Sequence, residues 1–382
     1  MQKGNPRVAI VVDYLNQYGG AEKTLEAMCE LFPEAPIYTS IYEPNQMSEI
    51  INSKEIITPD NTKGRLLAKL PKHFTFLMPS VFEAFDLSRF DLIISSGTAW
   101  SKSVLTTPDQ LHISYIHTPP RFLYGYSVES VQRFKWYYKP FVAYIDHHLR
   151  VWDFMAAQRP NYFVANSEEI KERVFKFYKR KATVIYPPVE VEKGLSFKGT
   201  KDNISKPYYL VLGRLAAYKN VDLVIEAFNL MDLELKIIGT GKEETKLKRL
   251  AKSNVTMLGK LSETEKHKYI ENCLGVIFPV KDEDFGIVPI EAFSHGKPVL
   301  AHKSGGPKGI IKEGFTGEFF TELTTEGIVE AVKIFDNKVR NNKYNPVEIK
   351  NYARQFSKDI FKEKFTDFVN KCWSKHLESK NA

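Results

Sequence analysis

Four charged side chains in the second half of the chain are spaced for work on an anionic leaving group. Gly213-Arg214-Leu215 is followed closely by Lys219. A forked guanidinium and a point-charge ammonium in one short loop suit a diphosphate that gains negative charge as a bond to it breaks. The plain alternative is a solvated loop pair. Glu283 and Glu291 stand eight residues apart, separated by Asp284-Phe285-Gly286-Ile287-Val288-Pro289-Ile290. Pro289 fits the first turn of a short helix and Gly296 fits its stop. That spacing predicts Glu283 in a loop and Glu291 in the first helical turn. Carboxylates so placed suit the hydroxyls of a ribose and a sugar, and the acid and base of a hydrolase are the rival role. Asp282-Glu283-Asp284 also reads as a metal-binding DxD. Asp284-Phe285-Gly286 reads as a kinase element, which fails because no H-R-D loop accompanies it.

The first half offers fewer such residues. Gly19 and Gly20 follow an apolar run and open a helical pattern, where backbone amides could meet a phosphate or a sugar. A plain turn is the alternative. The chain has no G-x-G-x-x-G and no P-loop, which disfavours an NAD enzyme and an NTPase. His117, at the end of the run His112 to Ile116, is placed to touch a substrate or to serve structure alone. His147-His148 point apart on a helix and make a poor metal pair. Ser304-Gly305-Gly306-Pro307 reads as a second phosphate-facing loop. Cys29, Cys273 and Cys372 are isolated and read as reduced thiols, with no metal site.

These residues need a scaffold, and 382 residues are too many for one core. Short β-branched runs alternate with amphipathic stretches, the pattern of parallel sheets covered by helices. Strands are expected at Val8–Val12, Ile37–Ser40, Asp91–Ser95, Ile113–Ile116 and Tyr162–Ala165. The pattern restarts at Tyr208–Leu212, then Leu233–Ile238, Val255–Leu258, Leu274–Phe278 and Pro298–Ala301. Helices are expected at 21–31, 221–230, 243–251, 263–271 and 358–377. The division is a domain over 1–186, a linker over 187–207, a domain over 208–355 and a terminal helix over 356–382. That helix carries an apolar stripe of Ile360, Phe361, Phe365, Phe368, Val369 and Trp373, able to pack on its own domain or cross back to the first.

Net charge is +8, with 12 Lys/Arg against 6 Asp/Glu in residues 121–182, interleaved with aromatics. A solvated basic face and a surface resting on anionic lipid both fit that segment. Nucleic acid fits less well, because no recognition signature accompanies the charge. No apolar run reaches membrane-spanning length, and no signal-peptide core follows Met1 to Arg7. The expected location is the cytoplasm, with a peripheral seat on the inner membrane face if the basic segment meets lipid.

Together the motifs resemble a known family. Gly213-Arg214-Leu215 with Lys219-Asn220, Leu258-Gly259-Lys260-Leu261, Phe278-Pro279, Glu283 to Gly286, Glu291-Ala292, Gly296 to Val299, Ser304 to Gly306 and Gly314 to Gly317 resemble, in order and spacing, the C-terminal domain of family 4 retaining glycosyltransferases. In the first half, Tyr18 to Glu22, Asp91 to Ser96, His117 to Arg121, Trp152-Asp153, Ala165 to Ser167 and Val184 to Val189 are similar to bacterial and archaeal mannosyltransferases of O-antigen and lipopolysaccharide assembly. Two departures stand out. Gly309 occupies a place where the family usually has a glutamate, and Asp13-Tyr14 replaces an Asp-Trp.

The resemblance implies the α/β GT-B fold, two Rossmann-like domains facing across a cleft that holds the active site. It implies that Arg214 and Lys219 bind the donor diphosphate, Glu291 the ribose and Glu283 the transferred sugar. Gly20 would sit against the diphosphate, and Gly19, Gly213, Phe285, Gly286, Ile287 and Val288 would also belong to the donor-binding set. His117 would lie near the sugar, and the segment Leu258 to Leu261, with Gly259, Lys260 and Leu261 in the donor-binding set, would meet the nucleobase. No metal and no other cofactor is expected, since Arg and Lys do a cation's work, and the anomeric configuration would be retained. The implied reaction moves mannose from GDP-mannose to a lipid-linked glycan. UDP- or dTDP-sugar donors, a sugar-nucleotide epimerase and an inactive nucleotide-sugar-binding subunit are the rivals.

Overall fold

The computed structural model describes residues 6–59, 75–126, 139–191 and 206–381. The chain forms two compact units. One comprises Met1–Pro188 with Lys358–Ala382, and the other Val189–Ser357. The expected linker falls largely outside the described residues.

The first unit is built on a fully parallel sheet. Its strands are β1 (Val8–Val12), β2 (Ile37–Thr39), β3 (Ile56–Ile57), β4 (Leu92–Gly97), β5 (Leu111–Ile116), β6 (Tyr162–Ala165) and β7 (Ala182–Val184). They lie in the order β3-β2-β1-β4-β5-β6-β7. The helices are α1 (Gly20–Leu31), α2 (Glu49–Asn52), α3 (Met78–Glu83), α4 (Lys139–Ala156) and α5 (Glu168–Tyr178). The central strands are buried on both faces, as in parallel sheets covered by helices, with Ser95, His112 and Ser114 among the buried polar exceptions to their apolar lining.

The second unit repeats the plan. Strands β8 (Tyr208–Leu212), β9 (Glu234–Ile238), β10 (Val255–Gly259), β11 (Val276–Phe278), β12 (Val299–His302) and β13 (Gly317–Phe320) lie in the order β10-β9-β8-β11-β12-β13. The helices are α6 (Val221–Phe228), α7 (Glu244–Leu250), α8 (Glu263–Asn272), α9 (Ile287–Ser294), α10 (Pro307–Ile310), α11 (Thr325–Arg340) and α12 (Pro346–Ala353). In both sheets the order reverses between the first and fourth strands. Sheets with this reversal bind ligands beyond the carboxyl ends of the strands at that point.

The terminal helix α13 (Lys358–Asn381) belongs to the first unit. Its stripe of Phe361, Phe365, Val369 and Cys372 is buried in the core formed by β1, β4, β5 and α1. Tyr115 of β5 meets Phe361 and Phe365 edge-on, with centroids 6.0 and 6.3 Å apart. Of the two placements open to this helix, packing on the first domain is the one observed. All three cysteines are buried and unpaired.

Candidate active site

In the second unit the site begins where β8 ends. Gly213 has φ +135°, which only glycine adopts without strain. Its neighbour across β9, Gly239, is as constrained. A Cβ on Gly239 would stand 1.9 Å from the Gly213 carbonyl oxygen. Gly239 N–H in turn donates to Gly259 O at 2.8 Å, so the ends of β8, β9 and β10 are laced backbone to backbone. The chain then carries Arg214 on the surface, buries Leu215 as an anchor and closes a 3₁₀ turn over Ala217–Lys219. Asn220 follows with φ +53°, its amide donating to Pro279 O at 3.1 Å, and thereby ties this loop to the one after β11.

Lys219 is mostly buried, and its ammonium donates to the Glu283 carboxylate. The Lys219 Nζ also lies over the Tyr218 ring, 5.1 Å from its centroid. Arg214 reaches Tyr218 Oη at 3.5 Å. Arg214, Lys219 and Glu283 thus stand on two neighbouring loops at the reversal point between β8 and β11. The three side chains can shift charge among one another and a phosphate, which is what a departing diphosphate demands.

The loop bearing Glu283 is held from behind by Ser304-Gly305-Gly306. Ser304 Oγ accepts from Asp282 N–H at 2.8 Å, and Gly306 N–H donates to Glu283 O at 2.7 Å. A Cβ on Gly305 would lie 2.2 Å from Glu283 O. The expected second phosphate-facing loop is therefore a buttress: its glycines permit backbone contact, and the Gly306 amide is already engaged. Gly309 sits in α10 with open space where a Cβ would stand.

Helix α9 starts after Gly286, whose φ is +105° and which brings no side chain to cap it. The first-turn amides of Ile287 and Val288 have no intrahelical acceptor, and the positive end of the helix lies with them. Phe285 is buried, with its ring near Phe356. Glu291 is the fifth residue of α9, one position past the expected first turn. Helix α8 supplies its partner, with Lys266 Nζ 3.2 Å from Glu291 Oε1. Gly259, at φ +70°, ends β10 and turns the chain to exposed Lys260 and half-buried Leu261.

In the first unit the organising residue is Asp13, at the end of β1. It is buried, and its carboxylate accepts from the backbone amides of Thr98, Ala99, Trp100 and Ser101 at 2.7 to 2.9 Å. This fixes the turn after β4. Ser96 Oγ lies 3.0 Å from His117 Nε2, and Asn166 Nδ2 donates to His117 O at 2.8 Å. Burial pushes His117 down to about 4, so its imidazole is neutral at pH 7. Gly19 caps α1, and its amide donates to Glu22 Oε2 at 2.8 Å, leaving Gly20 as the first helical residue.

Sequence reasoning passed over Asp13 as a functional organiser, and also Lys266, Gly239 and Asn166. The Ile238-Gly239-Thr240-Gly241 string was a usable signal for the second glycine-lined strand end. Among the described residues, no group of three His, Cys, Asp or Glu side chains is placed to hold a metal ion. The basic segment is only partly described, because residues 127–138 lie outside the described residues. Of its aromatics, Tyr124 packs inward, stacked on Phe177 with its hydroxyl on Asp153 at 2.8 Å. His147 and His148 are exposed on α4. No described helix is long and apolar enough to cross a membrane. A cavity of about 730 Å³ in the first unit lies at the other end of its sheet, by Arg7, Phe32 and Trp373.

Family models match both parts of the chain. Residues 18–193 match the model described as Glycosyltransferase Family 4, and residues 194–356 match Glycosyl transferases group 1. The O-antigen chain mannosyltransferase C of Escherichia coli is 26% identical over 243 residues, 60% of this chain and 62% of that protein. The alpha-1,3/1,6-mannosyltransferase ALG2 of Saccharomyces cerevisiae is 27% identical over 270 residues, 54% of this chain and 53% of that protein. The chain thus spans between about half and three-fifths of these curated relatives. Among solved structures, Anabaena Alr3699/HepE in complex with UDP superposes with a TM-score of 0.67. It is 15% identical, over 96% of this chain and all of that one. The sheets expected from the sequence are present, the two models follow one another along nearly its whole length, and the chain belongs to family 4 of the glycosyltransferases.

Proposed function

We propose that this protein transfers a hexose from a nucleoside diphosphate sugar to a glycan acceptor with retention of configuration, and that the donor is GDP-mannose. The observation that carries the reading is the convergence of Arg214, Lys219 and Glu283 on two loops tied by Asn220 at the reversal point of the second sheet. When the bond between the anomeric carbon and the β-phosphate oxygen breaks, that oxygen gains negative charge. Lys219 and Arg214 stabilise it, and the amides at the start of α9 add the helix dipole. Glu283, beside Lys219, accepts from sugar hydroxyls, and Glu291 accepts from the ribose. The reaction draws on these charges and needs no metal. His117, neutral and fixed by Ser96, donates to or accepts from the sugar.

Mannose is supported by the mannosyltransferase names of the E. coli and yeast relatives. A lipid-linked acceptor at the inner face of the membrane fits the same relationship. The test is a thermal-shift screen against GDP, GDP-mannose, UDP, UDP-glucose, UDP-GlcNAc and dTDP-sugars. Stabilisation by GDP and GDP-mannose is expected. Stabilisation by UDP species alone would keep a glycosyltransferase and overturn mannose.

A further inference from the structure

Helix α8 reaches the candidate donor site through one side chain, and that side chain has a consequence for the ligand. Lys266, the fourth residue of α8, places Nζ 3.2 Å from Glu291 Oε1 and 2.7 Å from Glu263 Oε2. Its side chain is 16% exposed and that of Glu291 is 15% exposed, so the pair lies largely out of water. Burial pulls the Lys266 ammonium down, but Glu291 and Glu263 together hold it above its ordinary value, and it stays charged. The start of α8 is itself fixed. Ser262 Oγ accepts from Glu265 N–H at 3.3 Å, and Glu265 Oε2 accepts from Ser262 N–H at 3.0 Å. One turn further along, His267 Nδ1 meets His295 Nε2 at 2.8 Å, so α8 and α9 are joined twice in register.

We propose that Lys266 is a positioning residue for Glu291, and that through it the second unit selects ribonucleotide donors over 2′-deoxyribonucleotide donors. The proposal rests on the assignment of Glu291 to the ribose. A glutamate side chain has three torsions, and a carboxylate without a fixed partner drifts among rotamers. Lys266 occupies Oε1 and holds the carboxylate in one rotamer. The remaining acceptor positions then face a vicinal diol in one orientation. A diol that spans a fixed carboxylate makes two charge-assisted hydrogen bonds, and a 2′-deoxyribose makes one. The deoxynucleotide also leaves an acceptor unsatisfied on a carboxylate that lies largely out of water, so discrimination exceeds the loss of one exposed contact.

The experiment is calorimetric titration of the full chain with GDP and 2′-dGDP, and with UDP and 2′-dUDP. The wild type should prefer the ribonucleotide of the base it binds by roughly 10- to 100-fold, the range for a hydrogen bond to a charged group. Lys266→Met should bring that ratio close to one and raise the donor KM with kcat little changed. Lys266→Arg should restore most of the ratio. Glu291→Ala should abolish it. A Lys266→Met variant with the wild-type ratio, alongside a Glu291→Ala variant that has lost it, would overturn the role of Lys266 alone. A Glu291→Ala variant that keeps the ratio would overturn the ribose assignment beneath it. Melting temperatures of all three variants separate these results from a failure to fold.

Discussion

A lysine that pairs with a glutamate in a half-enclosed loop is a charge ready to be shared. Lys219 and Glu283 lie on different loops, 64 residues apart in sequence, and meet because β8 and β11 are neighbours in the sheet. A diphosphate that reaches Lys219 draws on the same ammonium, and its pull is strongest when the leaving oxygen carries full charge. Lys219→Ala should therefore raise the barrier by about 2–4 kcal/mol, seen as a fall in kcat with folding intact. Unchanged turnover would remove Lys219 from the leaving-group site. Lys102 and Asp153 make a different kind of pair, 2.5 Å apart and both buried, with Tyr124 donating to the second carboxylate oxygen. Lys102→Met leaves Asp153 as an unpaired buried charge. It should cost about 3–5 kcal/mol of stability, checked by chemical denaturation.

At the scale of elements, the strands were legible because their β-branched runs are short, apolar and regularly spaced. The five strands expected in each half are present, within a few residues. Three were missed, for different reasons. β3 and β7 are short edge strands, and β13 is Gly317-Glu318-Phe319-Phe320, too polar and brief to stand out. The long helix α11 was missed although Ile328, Val332 and Phe335 form its buried face. Charged residues dilute that stripe in the sequence. The juxtaposition of Arg214, Lys219 and Glu283 was legible because their types and spacing mark them as candidates for one chemistry. Asp13 was not, since its partners are backbone amides 85 to 88 residues away and no side-chain pattern announces them. Lys266 was hidden likewise, because only the packing of α8 on α9 brings it to Glu291. The apolar stripe of α13 was visible, but its destination was not. Phe365 is fully buried in the first core, so Phe365→Ala should cost about 3–5 kcal/mol there and lower the melting temperature.

The whole molecule carries a pH dependence. Burial holds His112 at about 3 and His117 and His295 at about 4. An unfolded histidine titrates near 6.5, so the unfolded chain binds protons that the native chain refuses. The stability these groups carry is full above pH ~6.5 and is lost as pH falls towards 4. His112, wholly buried beside Ser95, accounts for roughly 2 kcal/mol of that loss by pH 5. Glu22, raised first by burial, works the other way and offsets a small part. The melting temperature should drop between pH 7.5 and pH 5, and a flat profile would contradict the buried neutral histidines. The surface also bears on the acceptor. Tyr144, Val151 and Met155 are exposed along α4, and Phe175 is exposed on α5 beside Lys179. Salt-sensitive co-sedimentation with anionic liposomes is expected if this face meets lipid, and salt-insensitive or absent binding would make it an ordinary solvated face.

The most direct measurement is the calorimetric affinity of the pure protein for GDP, compared with that of Lys219→Ala and of His117→Ala. The wild type should bind, Lys219→Ala should lose about 10-fold or more, and His117→Ala should bind GDP unchanged, because the proposed role of His117 is toward the sugar and not the diphosphate. No binding of GDP or any other nucleoside diphosphate, or equal affinity in Lys219→Ala, would contradict a donor diphosphate held by Arg214 and Lys219.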